Sequence, residues 1–163
     1  MKRSMVLSLT ALLFSISFSA YAQQDNFSGT WQFKNQQSVS GNLYANGSPK
    51  QVTINQNNSL AIALVMNYGA QDTTITEVFS STAKPFETKT AMGRRDIITL
   101  KWADNHSNFT VISLIYDLND PAKLDFRDTD IWKISDGQLI LDRKSENFTN
   151  GETWESTATY TKQ

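Results

Sequence analysis

The residues best suited to acid–base chemistry form one acidic cluster in the second half of the chain. Asp125, Asp128 and Asp130 lie close to Arg127 in the sequence. Paired carboxylates can serve as general acid and base, or they can bind a hard cation such as Ca²⁺. In an extended strand, Asp128 and Asp130 point to one face and Asp125 and Arg127 to the other. The pattern lacks the glycine and glutamate of a calcium-binding loop and favours a solvated strand with cross-strand ion pairs.

His106 is the second candidate, because it is the one histidine of a chain that contains no cysteine. A metal or catalytic role would need partners held at fixed geometry, and N/S-type metal sites need several such ligands. His106 lies among polar turn residues, so we interpret it as a solvated turn residue. Nucleophile elbows and phosphate loops are not recognisable in the sequence. We expect no metal site, no cofactor and no enzymatic activity.

Arg94 and Arg95 form a small basic spot that follows Met92 and Gly93. Such a spot could meet an anionic ligand, although capping of a hairpin is the simpler interpretation. The whole chain has 15 basic and 16 acidic residues and a formal net charge of −1. Charges of both signs are scattered along it, which argues against a nucleic-acid or anionic-membrane partner.

The first 22 residues have the pattern of a cleavable signal peptide. Lys2 and Arg3 precede an apolar run over residues 6–16, and residues 20–22 (Ala-Tyr-Ala) match a cleavage site. The run is shorter than the roughly 20 residues that a spanning helix needs. We predict cleavage after Ala22, no membrane span after cleavage, and a soluble exported protein of the bacterial periplasm or exterior. Residues 23–163 are then expected to form one domain, held by its core without disulfides.

The mature segment has the alternating pattern of antiparallel strands. Runs rich in Val, Ile, Thr and aromatic residues recur at short intervals, separated by turn residues. Residues 135–137 (Ser-Asp-Gly) indicate a tight hairpin, and residues 150–151 (Asn-Gly) indicate another. In the last run, Trp154, Ala158 and Tyr160 share one face with Ser156, and threonines occupy the other face. This alternation is typical of a sheet with one face exposed to solvent.

The number and spacing of these runs predict an all-β fold of nine or ten strands. Short turns in series favour an up-and-down antiparallel barrel of about 8–10 strands over a sandwich, because closure removes unpaired edges. Residues 36–48 are rich in Ser, Asn and Gly, so we predict a long loop there.

Both ends of the mature chain resemble a known family. Residues 26–31 read Asn-Phe-Ser-Gly-Thr-Trp, and residues 139–145 read Leu-Ile-Leu-Asp-Arg-Lys-Ser. Residues 150–152 (Asn-Gly-Glu) and 158–162 (Ala-Thr-Tyr-Thr-Lys) complete the pattern. These segments resemble lipocalin-like (calycin) small exported β-barrel proteins of bacteria. The second and third lipocalin motifs are not recognisable, and the common lipocalin disulfide is absent.

The resemblance implies a structural role for three residues. Gly29 and Trp31 form the Gly-x-Trp motif that closes one end of a lipocalin barrel. An arginine from a late strand packs across that tryptophan in lipocalins, and Arg143 is the best match for it. A guanidinium over an indole contributes roughly 1–2 kcal/mol when it is partly desolvated.

The resemblance also implies a function, namely binding of a hydrophobic or amphipathic small molecule inside the barrel. One alternative is a structural or protein-interaction module of the cell envelope without a cavity. Another is an enzyme that depends on Asp128 and Asp130. Aromatic side chains could line a ligand cavity or fill a solid core. The seven cavity-lining candidates are Trp102, Phe109, Tyr116, Phe126, Trp132, Trp154 and Tyr160.

Overall fold

The computed structural model describes residues 25–41, 47–57, 59–68, 71–79 and 84–163. The predicted signal peptide lies outside the described residues. Within those ranges no helix is long and apolar enough to cross a membrane. The described residues form ten strands: β1 Gly29–Ser40, β2 Gln51–Gln56, β3 Leu60–Tyr68, β4 Gln71–Phe79, β5 Phe86–Lys89, β6 Arg95–Trp102, β7 Asn108–Tyr116, β8 Leu124–Ser135, β9 Gln138–Asn147 and β10 Thr153–Lys162.

The strands form one antiparallel sheet in which the first strand, β1, pairs with the last, β10. The order in the sheet is β4-β3-β2-β1-β10-β9-β8-β7-β6-β5. This arrangement confirms the predicted all-β antiparallel fold. No ladder between β4 and β5 is present among the described residues. The sheet curls until Phe79 of β4 meets Phe86 of β5, with ring centroids 5.6 Å apart. The result is a barrel with an unpaired gap between β4 and β5.

The turn between β8 and β9 shows how local sequence sets this topology. Asp136 and Gly137 both have positive φ, 51° and 72°. Two left-handed central residues are the requirement of a type I′ turn, whose twist matches that of the flanking strands. Ser135 therefore pairs with Gln138, and the ladder runs on to Phe126 and Asn147. The predicted hairpin is confirmed.

The predicted loop over residues 36–48 is wrong at its start. β1 continues to Ser40, with Gln36 opposite Ala158 and Ser38 opposite Ser156 on β10. Most side chains of this part of β1 are exposed, so the segment has no apolar row for sequence analysis to detect. Hydrogen bonding to β10 overrides its polar composition. Residues 42–46 lie outside the described residues.

One end of the barrel is closed by a packed aromatic and aliphatic cluster. Trp31 is 2% exposed, and its indole Nε1 donates to the carbonyl oxygen of Phe27 at 2.9 Å. Aromatic rings from β7, β8 and β10 pack behind it. The buried cluster comprises Phe27, Trp31, Val52, Ile54, Leu60, Ile62, Phe79, Ile98, Leu100, Phe109, Val111, Trp132, Leu139, Leu141, Ala158 and Tyr160.

The cation over Trp31 is Lys162, so the prediction that placed Arg143 there is corrected. Lys162 is directly opposite Trp31 in the β1–β10 ladder, and its Nζ lies 5.2 Å from the indole centroid. Arg143 is opposite Ser156 on β10 and faces another part of the interior. Gly29, with φ of 138°, lies under the same lysine, since a Cβ there would meet Lys162 Cε at 2.6 Å. The positive φ favours glycine at this position, whereas the flexible Lys162 side chain could move aside from a Cβ.

Candidate functional site

One level of the barrel interior is polar although the closed end is apolar. Residues that pair in an antiparallel ladder point to the same face of the sheet. Polar residues that pair on the inward face therefore lie side by side in the interior. Ser113 is opposite Asp128, and Asp128 is opposite Ser145. We call this level the polar layer. Its members are Glu77, Asp96, Ser113, Asp128, Asp130, Arg143, Ser145 and Ser156.

Arg143 is the cation of the polar layer, and Asp130 holds it. Arg143 Nε donates to Asp130 Oδ1 at 2.6 Å, and Nη2 donates to Oδ2. The two side chains are only 15% and 14% exposed. Arg143 Nη1 also donates to the carbonyl oxygen of Gly47. Two parallel charge-assisted bonds of this kind are strong and directional. The guanidinium charge is therefore compensated within the protein.

Asp128 lies beside this pair and accepts a hydrogen bond from the Ser145 hydroxyl. Burial raises the pKa of Asp128 above its ordinary value. Asp128 and Asp130 face the interior, so the prediction that they lie on a solvated strand is wrong. The predicted cross-strand ion pairs are confirmed by Arg143 with Asp130 inside, and by Arg127 with Glu146 at 3.9 Å on the same two strands.

Two further carboxylates, those of Glu77 and Asp96, are in the polar layer. Asp96 is 7% exposed, and its Oδ1 has no hydrogen-bond partner. Burial raises the pKa of Asp96 to about 6, and the charge of Asp128 adds to the shift. Burial likewise raises the pKa of Glu77 to about 7, helped by the charges of Asp130 and Asp96. Both groups are held where the charged form is costly.

Substitution of Glu77 by glutamine should stabilise the protein at alkaline pH. Because the folded pKa is above the ordinary 4.5, folding takes up a proton between about pH 4.5 and 7. Stability should therefore fall as pH rises through that window. At pH 8 we expect Glu77→Gln to raise the free energy of unfolding by about 1–3 kcal/mol.

Urea unfolding at pH 5 and pH 8 measures this effect. The gain should shrink at pH 5, where the wild-type carboxyl is mostly protonated in the folded state. Glu152→Gln is the matched control, because Glu152 is exposed. A loss of stability in Glu77→Gln at pH 8 would contradict the description of Glu77 as a costly buried charge.

An opening between β4 and β5 leads to these carboxylates. The two strands diverge from the Phe79–Phe86 contact and leave a cavity of about 430 Å³. Ile75 of β4 and Ile98 of β6 line it together with Glu77. Among the described residues, those that line it are Thr73, Thr74, Ile75, Thr76, Glu77, Phe86, Thr88, Lys89, Thr90, Ala91, Asp96 and Ile98.

A second cavity lies deeper and is smaller, about 100 Å³. Trp132, Arg143 and Glu77 are among its lining residues, so Glu77 borders both cavities. Small-molecule sites usually enclose about 300–1,000 Å³, a range that the opening reaches and the deep cavity does not. The opening is the candidate site because it combines this volume with a lining of apolar side chains and the carboxylates of Glu77 and Asp96. Apolar side chains fill most of the interior behind it.

Sequence reasoning missed Glu77 and Asp96, although a signal was present. Asp96 is two residues before Ile98 and four before Leu100, on the inward-facing row of β6. Glu77 is two residues before Phe79 on β4. A carboxylate on an otherwise apolar row is the signal, because single buried charges are rare without a partner.

The predicted cavity-lining aromatics divide into two groups. Phe109, Trp132 and Tyr160 are at most 1% exposed and pack in the core. The Phe109 and Trp132 rings are 6.3 Å apart, and the Trp132 and Tyr160 rings are 6.1 Å apart. Trp132 also borders the deep cavity. Trp102 is half-buried against the same cluster. Ligand contact by these residues stays a prediction.

Tyr116, Phe126 and Trp154 lie toward the other end of the barrel. The Arg95 guanidinium lies 4.5 Å from the Tyr116 centroid, and that of Arg94 lies 5.1 Å from the Phe126 centroid. Trp154 is half-buried and opposite Ser145 in the β9–β10 ladder. None of these three is among the residues that line the two described cavities, and their role in binding stays a prediction.

The basic spot predicted at Arg94 and Arg95 is not an open anion site. Arg94 forms a salt bridge with Asp125 and donates through Nε to the Tyr116 carbonyl oxygen at 3.0 Å. Arg95 donates to Glu87 at 2.9 Å. Both cations are paired with carboxylates beside the turn that precedes β6. This arrangement fits the interpretation that they cap a hairpin.

The structure places His106 in an exposed turn with φ of 54°. Its ring lies 5.8 Å from that of Trp102. Across the part of the chain that the structure describes, no three His, Cys, Asp or Glu residues are placed to hold a metal ion.

Comparison with known proteins gives a fold relationship. No protein-family model matches the chain, and no curated protein matches it. The chain is similar to a crystal structure of zebrafish ileal bile acid-binding protein complexed with cholic acid. The TM-score is 0.54 at 16% identity, over 84% of this chain and 98% of that chain. At this identity the likeness concerns architecture alone, and the chain shares with that protein an antiparallel β-barrel fold.

Proposed function

We propose that the protein binds an amphipathic small molecule in the opening between β4 and β5. The observation that carries the proposal is the composition of this opening. Ile75, Phe86 and Ile98 offer apolar surface, while Glu77 and Asp96 present carboxylates, and Asp96 Oδ1 has no donor among the described residues. Sites that combine an apolar lining with a few convergent polar groups are typical of small-molecule binding.

The fold neighbour gives independent support for this class of ligand. The zebrafish protein is named as a bile acid-binding protein and was crystallised with cholic acid. A barrel of this architecture therefore accommodates an amphipathic molecule. In the present chain the closed end is filled by Trp31, Phe109 and Trp132. The ligand is consequently expected near the gap rather than at the closed end.

A matched pair of tryptophan variants tests this location. Ile75→Trp places a large ring in the lining of the opening. Val78→Trp places the same ring on the outward row of the same strand, where Val78 is 58% exposed. We expect Ile75→Trp to weaken binding of the neutral fluorescent probe N-phenyl-1-naphthylamine by at least about tenfold, and Val78→Trp to leave it within about twofold.

Probe fluorescence against protein concentration measures the affinity, and thermal unfolding checks that both variants fold. Equal losses in the two variants would contradict a site in the opening. Absence of saturable probe binding to the wild-type protein would contradict the proposed function itself.

The alternative of a protein-interaction module has less support from the surface. An interaction face is expected to form a contiguous exposed apolar patch. A groove of about 350 Å³ on the outer face does include Val39 and Ile131, but Asp142, Lys144 and Glu155 also line it. Export to the bacterial periplasm or exterior is part of the proposal and rests on the sequence of the first 22 residues.

A further inference from the structure

The charges of the polar layer do not balance. It contains four carboxylates, those of Glu77, Asp96, Asp128 and Asp130, and one cation, Arg143, among the described residues. Asp130 takes two hydrogen bonds from Arg143, and Asp128 takes one from Ser145. Glu77 and Asp96 line the opening, and Asp96 Oδ1 has no donor among the described residues.

Of the two carboxylates in the opening, Asp96 gives the stronger evidence for an external donor. It is 93% buried, lines the opening, and has an oxygen, Oδ1, without any hydrogen-bond partner. Nearly all buried polar atoms in folded proteins have a partner, because an unmade bond costs the desolvation of the group. Two neutral buried atoms, Gln36 Nε2 and Ser156 Oγ, also lack partners in the described ranges, whereas the buried hydroxyls of Ser48 and Tyr160 interact with each other. None of their residues lines the opening.

The two arginines near the opening are paired with carboxylates, and one lysine is on the rim of the opening. Arg94 and Arg95 are paired with Asp125 and Glu87. Lys89 is on the rim, but it is exposed and lies on the outward row of β5, opposite Arg95. An anionic head group at Glu77 and Asp96 would therefore meet two carboxylates in a partly desolvated place, where like charges repel strongly. A metal ion such as Ca²⁺ takes 6–8 oxygen ligands, more than two carboxylates supply.

We infer that the ligand carries a protonated amine, which lies against Glu77 and Asp96 while its apolar part contacts Ile75, Phe86 and Ile98. This inference rests on the proposed function and specifies the chemistry of its ligand. An ammonium group has three donors and no acceptor, so it can satisfy both carboxylates at once. Arg143 stays with Asp130 and takes no part in head-group recognition.

Proton linkage gives the inference a second observable. Burial, Asp130 on β8 and Asp96 on β6 favour the protonated form of Glu77, while Arg143 on β9 opposes them. Burial and Asp128 on β8 favour the protonated form of Asp96. At acidic pH the two carboxyls are neutral and the attraction for an ammonium group is lost. Affinity for an amine should therefore rise as pH increases from 5 to 8, through the raised pKa values of about 6 and 7.

Three probes with the same chain, decylamine, decan-1-ol and decanoate, separate head-group chemistry from apolar binding. Isothermal titration calorimetry of the whole protein at submicellar concentrations and pH 8 should give the order amine, alcohol, carboxylate. We expect the amine to bind at least about tenfold tighter than the alcohol, with the advantage reduced at pH 5.

The double variant Glu77→Gln/Asp96→Asn should abolish the preference, so that amine and alcohol bind with equal affinity. Glu152→Gln/Asp104→Asn, which changes two exposed carboxylates, is the control and should retain the preference. If the alcohol binds but the amine binds no tighter, or if decanoate binds tightest, the inference is overturned and the proposed function stands. If none of the three probes binds, both are overturned.

Discussion

Replacement of Arg143 by methionine is expected to lower the free energy of unfolding by about 3–5 kcal/mol. The guanidinium is 15% exposed and bonded twice to Asp130, which is 14% exposed. Removing it would leave Asp130 and Asp128 as uncompensated charges beside Glu77. The loss in free energy of unfolding comes mainly from these unpaired carboxylates, because a buried charge without a partner is much less stable than a paired one.

Lys133→Met is the matched control for this prediction. Lys133 and Asp142 form a salt bridge at 2.6 Å in the same β8–β9 ladder, but on the outer face and 46% and 34% exposed. Solvent screens such pairs, so the expected loss is no more than about 1 kcal/mol. Chemical unfolding of both variants at pH 7 measures the two losses. Equal losses would contradict a buried, structurally required Arg143.

Truncation of Trp132 to alanine is expected to cost about 3–5 kcal/mol. Trp132 is 1% exposed and packs between Phe109 and Tyr160. It also borders the deep cavity of about 100 Å³, so truncation would enlarge a space that is already poorly filled. The loss combines apolar surface returned to water with the cavity left behind.

The neighbouring residue provides the control for Trp132→Ala. Ile131 is on the outward row of β8 and 37% exposed. Ile131→Ala should therefore cost less than about 1 kcal/mol. Thermal or urea unfolding of both variants measures the two losses of stability. A loss in Trp132→Ala as small as that in Ile131→Ala would contradict a closely packed closed end.

Local alternation explains why the strands could be predicted. In β10 the inward row Trp154, Ser156, Ala158 and Tyr160 alternates with outward threonines, and the structure reproduces that division. The turn at residues 135–137 was equally predictable, because Asp and Gly both tolerate the left-handed backbone conformation that a type I′ turn requires. Both signals lie within a few residues of the chain and need no knowledge of distant partners.

The candidate site could not be predicted in the same way, because it depends on register between strands far apart in sequence. Glu77 and Asp96 meet only when the sheet curls around and brings β4 near β5. Register also decides that Lys162, and not Arg143, lies over Trp31. The same knowledge is needed to recognise that residues 36–40 continue β1. Periodicity shows which face of a strand a residue occupies, but it does not show which residue of a distant strand lies opposite.

Amide chemical shifts in the isotope-labelled protein, titrated with N-phenyl-1-naphthylamine, test the binding site most directly. The largest changes should fall on residues 73–77 of β4 and on residues 86–98, which form the two sides of the opening. The amides of Val39 and Ile131 in the outer groove should change little. Shift changes concentrated in that groove, or none at saturating probe, would contradict a ligand site between β4 and β5.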